Sequence, residues 1–225
     1  MSKQSTHPIV VGFALLGLAM LACPGWADPV PDQEILKAAQ EGLPRFLAAI
    51  PPEEIESFGF HNQEELGRAT LGEPFLIHKM LPNDIFEYAE DGWASDLIRP
   101  THTWLFPVIC DGTPRTLLTV APMSGRWGAV DIGGLSPAPE IQELKTLWPA
   151  SQGWELSYVL VYQTGSQFMM VSRAGLDYIV PIESTARLLG IVPDGKPFQY
   201  ELKGIPEIVD ALVPFVHSAL EGLEQ

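Results

Sequence analysis

The fold is decided by residues 103–134, TWLFPVICDGTPRTLLTVAPMSGRWGAVDIGG. Three apolar runs in this stretch are separated by the pairs Asp111-Gly112 and Ser124-Gly125. Asp-Gly between two apolar runs is a strong hairpin signal, because this pair suits the tightest turns between antiparallel strands. The stretch therefore predicts a meander of three antiparallel strands, which must be covered by helices or by further strands.

Segments with helical spacing flank this meander on both sides. Residues 33–50 place apolar side chains three and four positions apart, and Pro44 is expected to kink this helix or divide it in two. Asn62 predicts the N-cap of a short helix that continues through Leu71. The same periodicity predicts further helices at 140–148, 184–189 and 205–223.

A second group of strands follows the meander. Leu156, Tyr158, Leu160 and Tyr162 alternate along one apolar run, as expected of a strand with one buried face. Short runs bounded by turn residues predict this group at 154–163, 167–173, 176–182 and 196–202, and two earlier strands before the meander at 75–80 and 85–88.

This order of elements predicts an α+β fold in which antiparallel sheets are covered by helices. We expect two closely packed units, an N-terminal one at 28–134 and a C-terminal one at 135–225 that ends in an amphipathic helix. The boundary lies in a stretch rich in glycine and proline, and no long linker separates the two units.

Residues 1–27 are typical of a bacterial signal peptide. Lys3 provides a positive start, and residues 9–22 form an apolar run of fourteen residues, which is too short to span a bilayer. Cleavage after Ala27 would leave Asp28 as the new N-terminus. The sequence therefore predicts a secreted or periplasmic protein.

An alternative interpretation of the same segment is a membrane-anchored lipoprotein. Met20-Leu21-Ala22-Cys23 is similar to a degenerate lipobox, in which Cys23 would carry the lipid. Contact with a membrane is expected only in this case. Either route removes Cys23 from disulfide pairing and leaves Cys110, which we interpret as a small buried side chain rather than a reactive thiol.

The charge balance excludes some partners. The formal net charge is −15, whereas binding to nucleic acid or to anionic lipid requires clustered lysine and arginine. Neither partner is therefore expected, and the acidic surface is interpreted mainly as a source of solubility.

No catalytic motif is found in the sequence. There is no G-x-S-x-G, no Walker loop, no G-x-G-x-x-G, no H-E-x-x-H and no C-x-x-C. The four histidines beyond the signal segment, His61, His78, His102 and His217, lack the spacing of a metal site. We therefore predict no catalytic, cofactor-binding or metal-ligating residue, and an enzymatic activity is not favoured.

Two weaker candidates for a site remain. Glu87, Glu90 and Asp91 surround Tyr88 and could offer oxygen ligands to Ca²⁺, although they lack the spacing of a calcium loop, and a solvated acidic face is favoured. Four side chains of the second strand group could line an apolar groove, with the core as the favoured alternative. They are Tyr158, Tyr162, Met169 and Met170.

Two resemblances bear on the fold. ELGRATLGEPF (65–75), W-x-FPV (104–108), LLTV (117–120) and WGAVDIGG (127–134) together resemble a group of secreted bacterial α+β proteins of unassigned function. That resemblance implies an extracytoplasmic protein and no activity. The order of elements also resembles cystatin-like and PepSY-type units, in which a curved sheet wraps a helix.

The hypothesis that best fits the sequence is a secreted or periplasmic, non-enzymatic binding protein whose partner is an unknown protein or small ligand. Two alternatives stay open. One is an extracytoplasmic protein similar to a protease propeptide or inhibitor, which is implied by the resemblance of layout. The other is a hydrolase whose acid and base are brought together only by the fold.

Overall fold

The computed structural model describes residues 29–133, 137–193 and 195–223, and these residues form an α+β fold. The strands are β1 (Thr70–Leu71), β2 (Phe75–Met80), β3 (Ile98–Cys110), β4 (Thr113–Met123), β5 (Arg126–Ile132), β6 (Glu155–Val161), β7 (Ser166–Arg173) and β8 (Leu176–Pro181). The helices are α1 (Gln33–Ala48), α2 (Gln63–Leu66), α3 (Pro82–Glu87), α4 (Ala94–Leu97), α5 (Ala138–Leu147), α6 (Glu183–Leu188) and α7 (Ile205–Leu223). Short 3₁₀ helices span Pro52–Phe58 and Ala150–Gln152.

All eight strands belong to one sheet, in the order β5-β4-β3-β2-β6-β7-β8, with β1 paired to β3. Every pairing is antiparallel except that of β2 with β6, which is parallel. The two predicted strand groups are therefore halves of one sheet, joined where Ile77 lies beside Tyr158.

The predicted boundary between residues 134 and 135 lies outside the described residues, as do the predicted signal peptide with Ala27 and Asp28 and the alternative lipidation site at Cys23.

The predicted meander is confirmed, and its turns show why. Asp111 and Gly112 both have positive φ, at 50° and 78°, and Ser124 and Gly125 follow the same pattern at 51° and 81°. Two consecutive positive φ angles define the type I′ turn, whose twist matches that of the strands it connects. These short turns fix the register of β3, β4 and β5, and so decide which side chains face each core.

One face of the sheet carries two helical cores. Over β3–β5, α1 packs on a cluster that includes Trp104, Phe106 and Val120. Over β6–β8, α7 packs on a cluster that includes Phe168 and Met170, with α3 and α4 at its margin. Each half of the sheet thus has its own covering helix on this face.

The opposite face is covered near its centre by α5. Ile141 and Leu144 of this helix pack on a third cluster that includes Phe75, Leu105 and Tyr158. Because Leu105 and Phe75 come from the first half of the sheet and Tyr158 from the second, α5 bridges the parallel joint between the halves.

Helix α1 continues through Pro44 as one element and lies directly on the edge strand β5. The approach is closest at Gly42, where an added Cβ atom would lie 2.1 Å from the Cβ of Ala129. Three residues further along the helix, Arg45 Nη2 donates a hydrogen bond of 3.0 Å to the carbonyl oxygen of Ala129. This contact covers a peptide group on an edge strand that lacks a neighbouring strand on its outer side.

Three segments differ from their predicted structure. Residues 85–88 are not a strand, because α3 begins at Pro82. Proline lacks a backbone N–H and suits the first turn of a helix, where that donor has no intrahelical partner, and a run of four residues does not distinguish the two periods. The helix predicted from Asn62 ends at Leu66, where the chain turns into β1. Residues 196–202 run irregularly beside β8, and their neighbour Lys203 forms a single bridge to Ile179.

Among the described residues, the helices are all too short or too polar to cross a lipid bilayer.

Candidate functional site

The four residues predicted to line a groove do not lie together on an exposed surface. Tyr158 and Met169 are buried in the core beneath α5, whereas Met170 is buried in the core beneath α7 on the opposite face. Tyr162 lies in the loop between β6 and β7 and is 53% exposed. Three of the four side chains therefore contribute to packing, as in the alternative that the sequence favoured.

A cluster of charged residues joins α2 to the hairpin of β3 and β4. The Glu65 carboxylate is buried and accepts two hydrogen bonds, from Arg115 Nη2 at 3.1 Å and from the His61 backbone N–H at 2.8 Å. Arg68 donates to both carboxylate oxygens of Asp111, at 3.3 and 2.9 Å. These contacts tie two neighbouring segments together across the end of the hairpin, and we name this cluster the hairpin clamp.

The hairpin clamp also contains donor atoms that could suit a metal ion. The ligand atoms of Glu65, Cys110 and Asp111 lie within 4.8 Å of one another, which holds for no other group of three among the described histidine, cysteine and acidic residues. However, an arginine already neutralises each carboxylate, and burial raises the pKa of the Cys110 thiol above its ordinary value. Because metals bind the thiolate, this arrangement fits a structural clamp better than a metal centre.

A surface depression with a volume of about 480 Å³ lies between α3, α4 and the start of β3. Its charged lining consists of three carboxylates and one guanidinium, so the depression is negative overall. We name it the α3–α4 depression and define it by the residues that line it. They are Asp84, Glu87, Tyr88, Ala89, Gly92, Ser95, Asp96 and Arg99.

Hydrogen bonds and core contacts hold the walls of the α3–α4 depression. Arg99 donates to both oxygens of Asp84 at 2.7 Å, which links α3 to β3. The Tyr88 hydroxyl donates to the Gly92 carbonyl at 2.7 Å and closes the loop between the two helices. Beneath the depression, Ile85 lies in the core under α7. The walls are therefore fixed before any partner arrives, which lowers the entropic cost of binding.

The protonation state of Tyr88 follows from the same geometry. Burial raises the pKa of its phenol above the ordinary value, and the negative charge of Asp96 raises it further. The hydroxyl therefore stays neutral and keeps donating to Gly92 across the physiological pH range. The negative charge of the depression comes from its carboxylates alone.

Two exposed aromatic side chains, Trp93 and Phe86, lie on the segments that border the depression. Trp93 follows Gly92 in the chain and is 74% exposed, and its backbone N–H donates to Asp96 Oδ2 at 3.0 Å. Phe86 on α3 is 41% exposed and meets the ring of His217 edge-on, with 6.3 Å between ring centroids. Large aromatic side chains bury much apolar area on binding, so their exposure beside a fixed depression is typical of a contact surface.

The arrangement of the acids argues against the Ca²⁺ site that the sequence considered. Calcium needs about six or more oxygen ligands around one point. The described carboxylates near Tyr88 do not place three ligand atoms within 4.8 Å of one another. Spread charges of this kind suit a larger cationic partner better than a single ion.

Sequence reasoning found part of this surface. It noted Glu87, Glu90 and Asp91 as an acidic run around Tyr88. It did not connect them with Asp84 and Arg99, because the strand predicted at residues 85–88 would have directed alternate side chains to opposite faces. The available signal was the number of acids around a tryptophan in a segment without apolar periodicity.

Comparison of the chain with protein-family models, with curated proteins and with solved structures finds no match.

Proposed function

We propose that this protein is a secreted or periplasmic, non-enzymatic interaction protein that binds a basic protein partner at the α3–α4 depression. The observation that carries the proposal is the exposure of Trp93 beside a fixed, negatively charged depression. The signal-like sequence of residues 1–27 supports the location outside the cytoplasm.

The electrostatics favour a partner rich in lysine or arginine. Arg99 is committed to Asp84, so the carboxylates of Glu87 and Asp96 supply the uncompensated charge of the depression. The whole chain carries a formal net charge of −15, which steers positively charged molecules toward it. Complementary charges of this kind raise the association rate and select the partner.

The aromatic side chains supply the short-range part of the contact. Tryptophan and tyrosine are enriched among residues whose truncation costs most binding energy, because they bury a large area with few rotatable bonds. Phe86 lies on α3 and Trp93 is the N-cap residue of α4, the two helices that border the depression, and we expect a partner seated there to contact both. An arginine or lysine of the partner could also stack on the indole ring.

Site-specific photo-crosslinking in producing cells tests the proposal. A photoreactive phenylalanine analogue is placed at Phe86, and in a matched control at Tyr162, which is also an exposed aromatic but lies in the loop between β6 and β7. We expect a defined protein adduct from position 86 and none from position 162. Replacing Glu87 by Gln together with Asp96 by Asn should reduce the adduct several-fold.

Three outcomes would refute the assignment of this surface. Equal adducts from positions 86 and 162 would show nonspecific contact. The same adduct yield after removal of both carboxylates would show that charge does not recruit the partner. If position 86 gives no adduct, the interaction at this surface is rejected.

A further inference from the structure

A second cavity, with a volume of about 340 Å³, lies beside the end of β8. The irregular segment between α6 and α7 forms most of its wall. Besides Val192, its apolar surface consists of three proline rings and the side chains of an isoleucine and a phenylalanine. They are Pro181, Pro193, Pro197, Ile191 and Phe198.

The wall of this cavity is held in place at several points. The backbone of Lys203 exchanges two hydrogen bonds with Ile179 on β8, at 2.9 and 3.0 Å. Phe198 packs edge-on against Tyr200, with 4.7 Å between ring centroids, and the Tyr200 hydroxyl donates to Glu140 Oε2 at 3.0 Å. Proline rings restrict the remaining backbone, so the cavity loses little conformational freedom when a ligand enters.

The charged residues that line the cavity are two lysines and one glutamate. Lys203 is paired with Glu207 at 2.9 Å and with Glu201 at 3.5 Å. Lys196 also lines the cavity, is exposed, and makes no ion pair with any residue in the part of the chain that the structure describes. Its ammonium group is therefore available to a negatively charged ligand.

We propose that this cavity binds a small amphipathic carboxylate. The hydrocarbon part of the ligand lies against the proline rings and Phe198, and the carboxylate accepts hydrogen bonds from Lys196 Nζ and from the neighbouring Gln199 side chain, which also lines the cavity. The volume is at the lower end of the range for ligand sites and suits a molecule of roughly ten non-hydrogen atoms. This site is separate from the α3–α4 depression, and the two share no lining residue.

The test uses octanoate as the probe and 1-octanol as its uncharged counterpart. Amide resonances of the purified protein are followed by NMR during titration with each compound. We expect octanoate to shift resonances of residues 191–203 and of Pro181's neighbours on β8. Octanol should bind several-fold more weakly, because it cannot form a charged pair with the ammonium group.

Variants distinguish the contribution of the Lys196 charge to binding from that of the apolar wall. Lys196→Gln should weaken octanoate binding about three- to fivefold, as expected for an exposed ion pair, and leave octanol binding unchanged. Phe198→Ala should weaken both compounds about tenfold or more. Lys37→Gln, at an exposed lysine on α1, is the matched control and should change neither.

Three results would overturn the proposal. The first is that octanoate shifts no resonance of residues 191–193 and 195–203, and the second is that it shifts resonances over the whole surface. The third is that octanol binds as well as octanoate, which would remove the role of Lys196. Because Lys196 is exposed, its replacement does not endanger folding, so a negative result with that variant counts against the site.

Discussion

Replacement of Gly42 by alanine should destabilise the protein, although the same change normally stabilises a helix. In an exposed helix, Gly→Ala gains about 1 kcal/mol of helix stability. At Gly42 the new methyl carbon would lie 2.1 Å from the Cβ of Ala129, far inside the separation of roughly 3.5–4 Å at which carbon atoms pack. The helix would have to move away from β5.

The size of the effect follows from what that movement disturbs. Helix α1 also buries Ile35, Ala39, Leu43 and Leu47 on the same sheet, so a shift at Gly42 loosens contacts on both sides of it. Overpacking of this kind costs about 1–3 kcal/mol, and a contact this short belongs at the upper end. After the helix gain is subtracted, we expect a net loss of about 2 kcal/mol, which lowers Tm by roughly 4–8 °C in a chain of this length.

Urea unfolding followed by circular dichroism measures this change, with the slope m checked for constancy. Gly222→Ala is the matched control, because it places alanine in α7 where no atom lies within 4 Å of the new Cβ, and it should not destabilise. Combining Gly42→Ala with Ala129→Gly removes the clash and should recover most of the loss. If Gly42→Ala proves as stable as the parent, or if Ala129→Gly gives no recovery, the close packing of α1 on β5 is refuted.

Further predictions concern the hairpin clamp and the α3–α4 depression. Glu65→Gln leaves the Arg115 guanidinium without its carboxylate and should cost about 3 kcal/mol in urea unfolding; a loss below about 0.5 kcal/mol would contradict the clamp. The hydrogen bond and charge of Arg68 hold the pKa of the Asp111 carboxyl below its ordinary value. This ion pair therefore stabilises the folded state at pH values above the ordinary pKa of an aspartate, and the stabilisation is lost as the pH falls through the lower pKa of the folded state. Arg68→Met should therefore raise the pKa of Asp111 in an NMR titration of the carboxyl carbon, and an unchanged titration would refute the pairing. Trp93→Ala should lower the affinity for the partner at least about thirtyfold in a pull-down titration and leave urea unfolding unchanged. Undiminished binding would show that Trp93 is not part of the contact.

Local rules predicted the parts of the fold that depend on neighbouring residues. The turns at Asp111-Gly112 and Ser124-Gly125 require a backbone conformation that few residue pairs adopt easily, so they were visible in the sequence. The stripe of apolar residues on α7 was visible for a similar reason, since nineteen residues provide enough turns to establish a period.

The parts that sequence reasoning missed depend on distant residues. Nothing local indicates that β2 pairs in parallel with β6, because the meander and α5 lie between these two strands in the chain. Short helices such as α3 and α4 are stabilised by packing against the core rather than by helix propensity. They contain too few residues for a helical period to be recognised in the sequence. The candidate site falls between these two helices, which explains why only its acidic character was anticipated.

The parallel joint between β2 and β6 also constrains the order of folding and the fate of incomplete chains. The meander of β3–β5 closes over two-residue turns, whereas Ile77 and Tyr158 must meet across a long loop, so the joint is expected to form late. Until then β2 presents an open, largely apolar edge at the centre of the sheet. A chain cut or truncated before β6 would keep that edge exposed and would tend to aggregate.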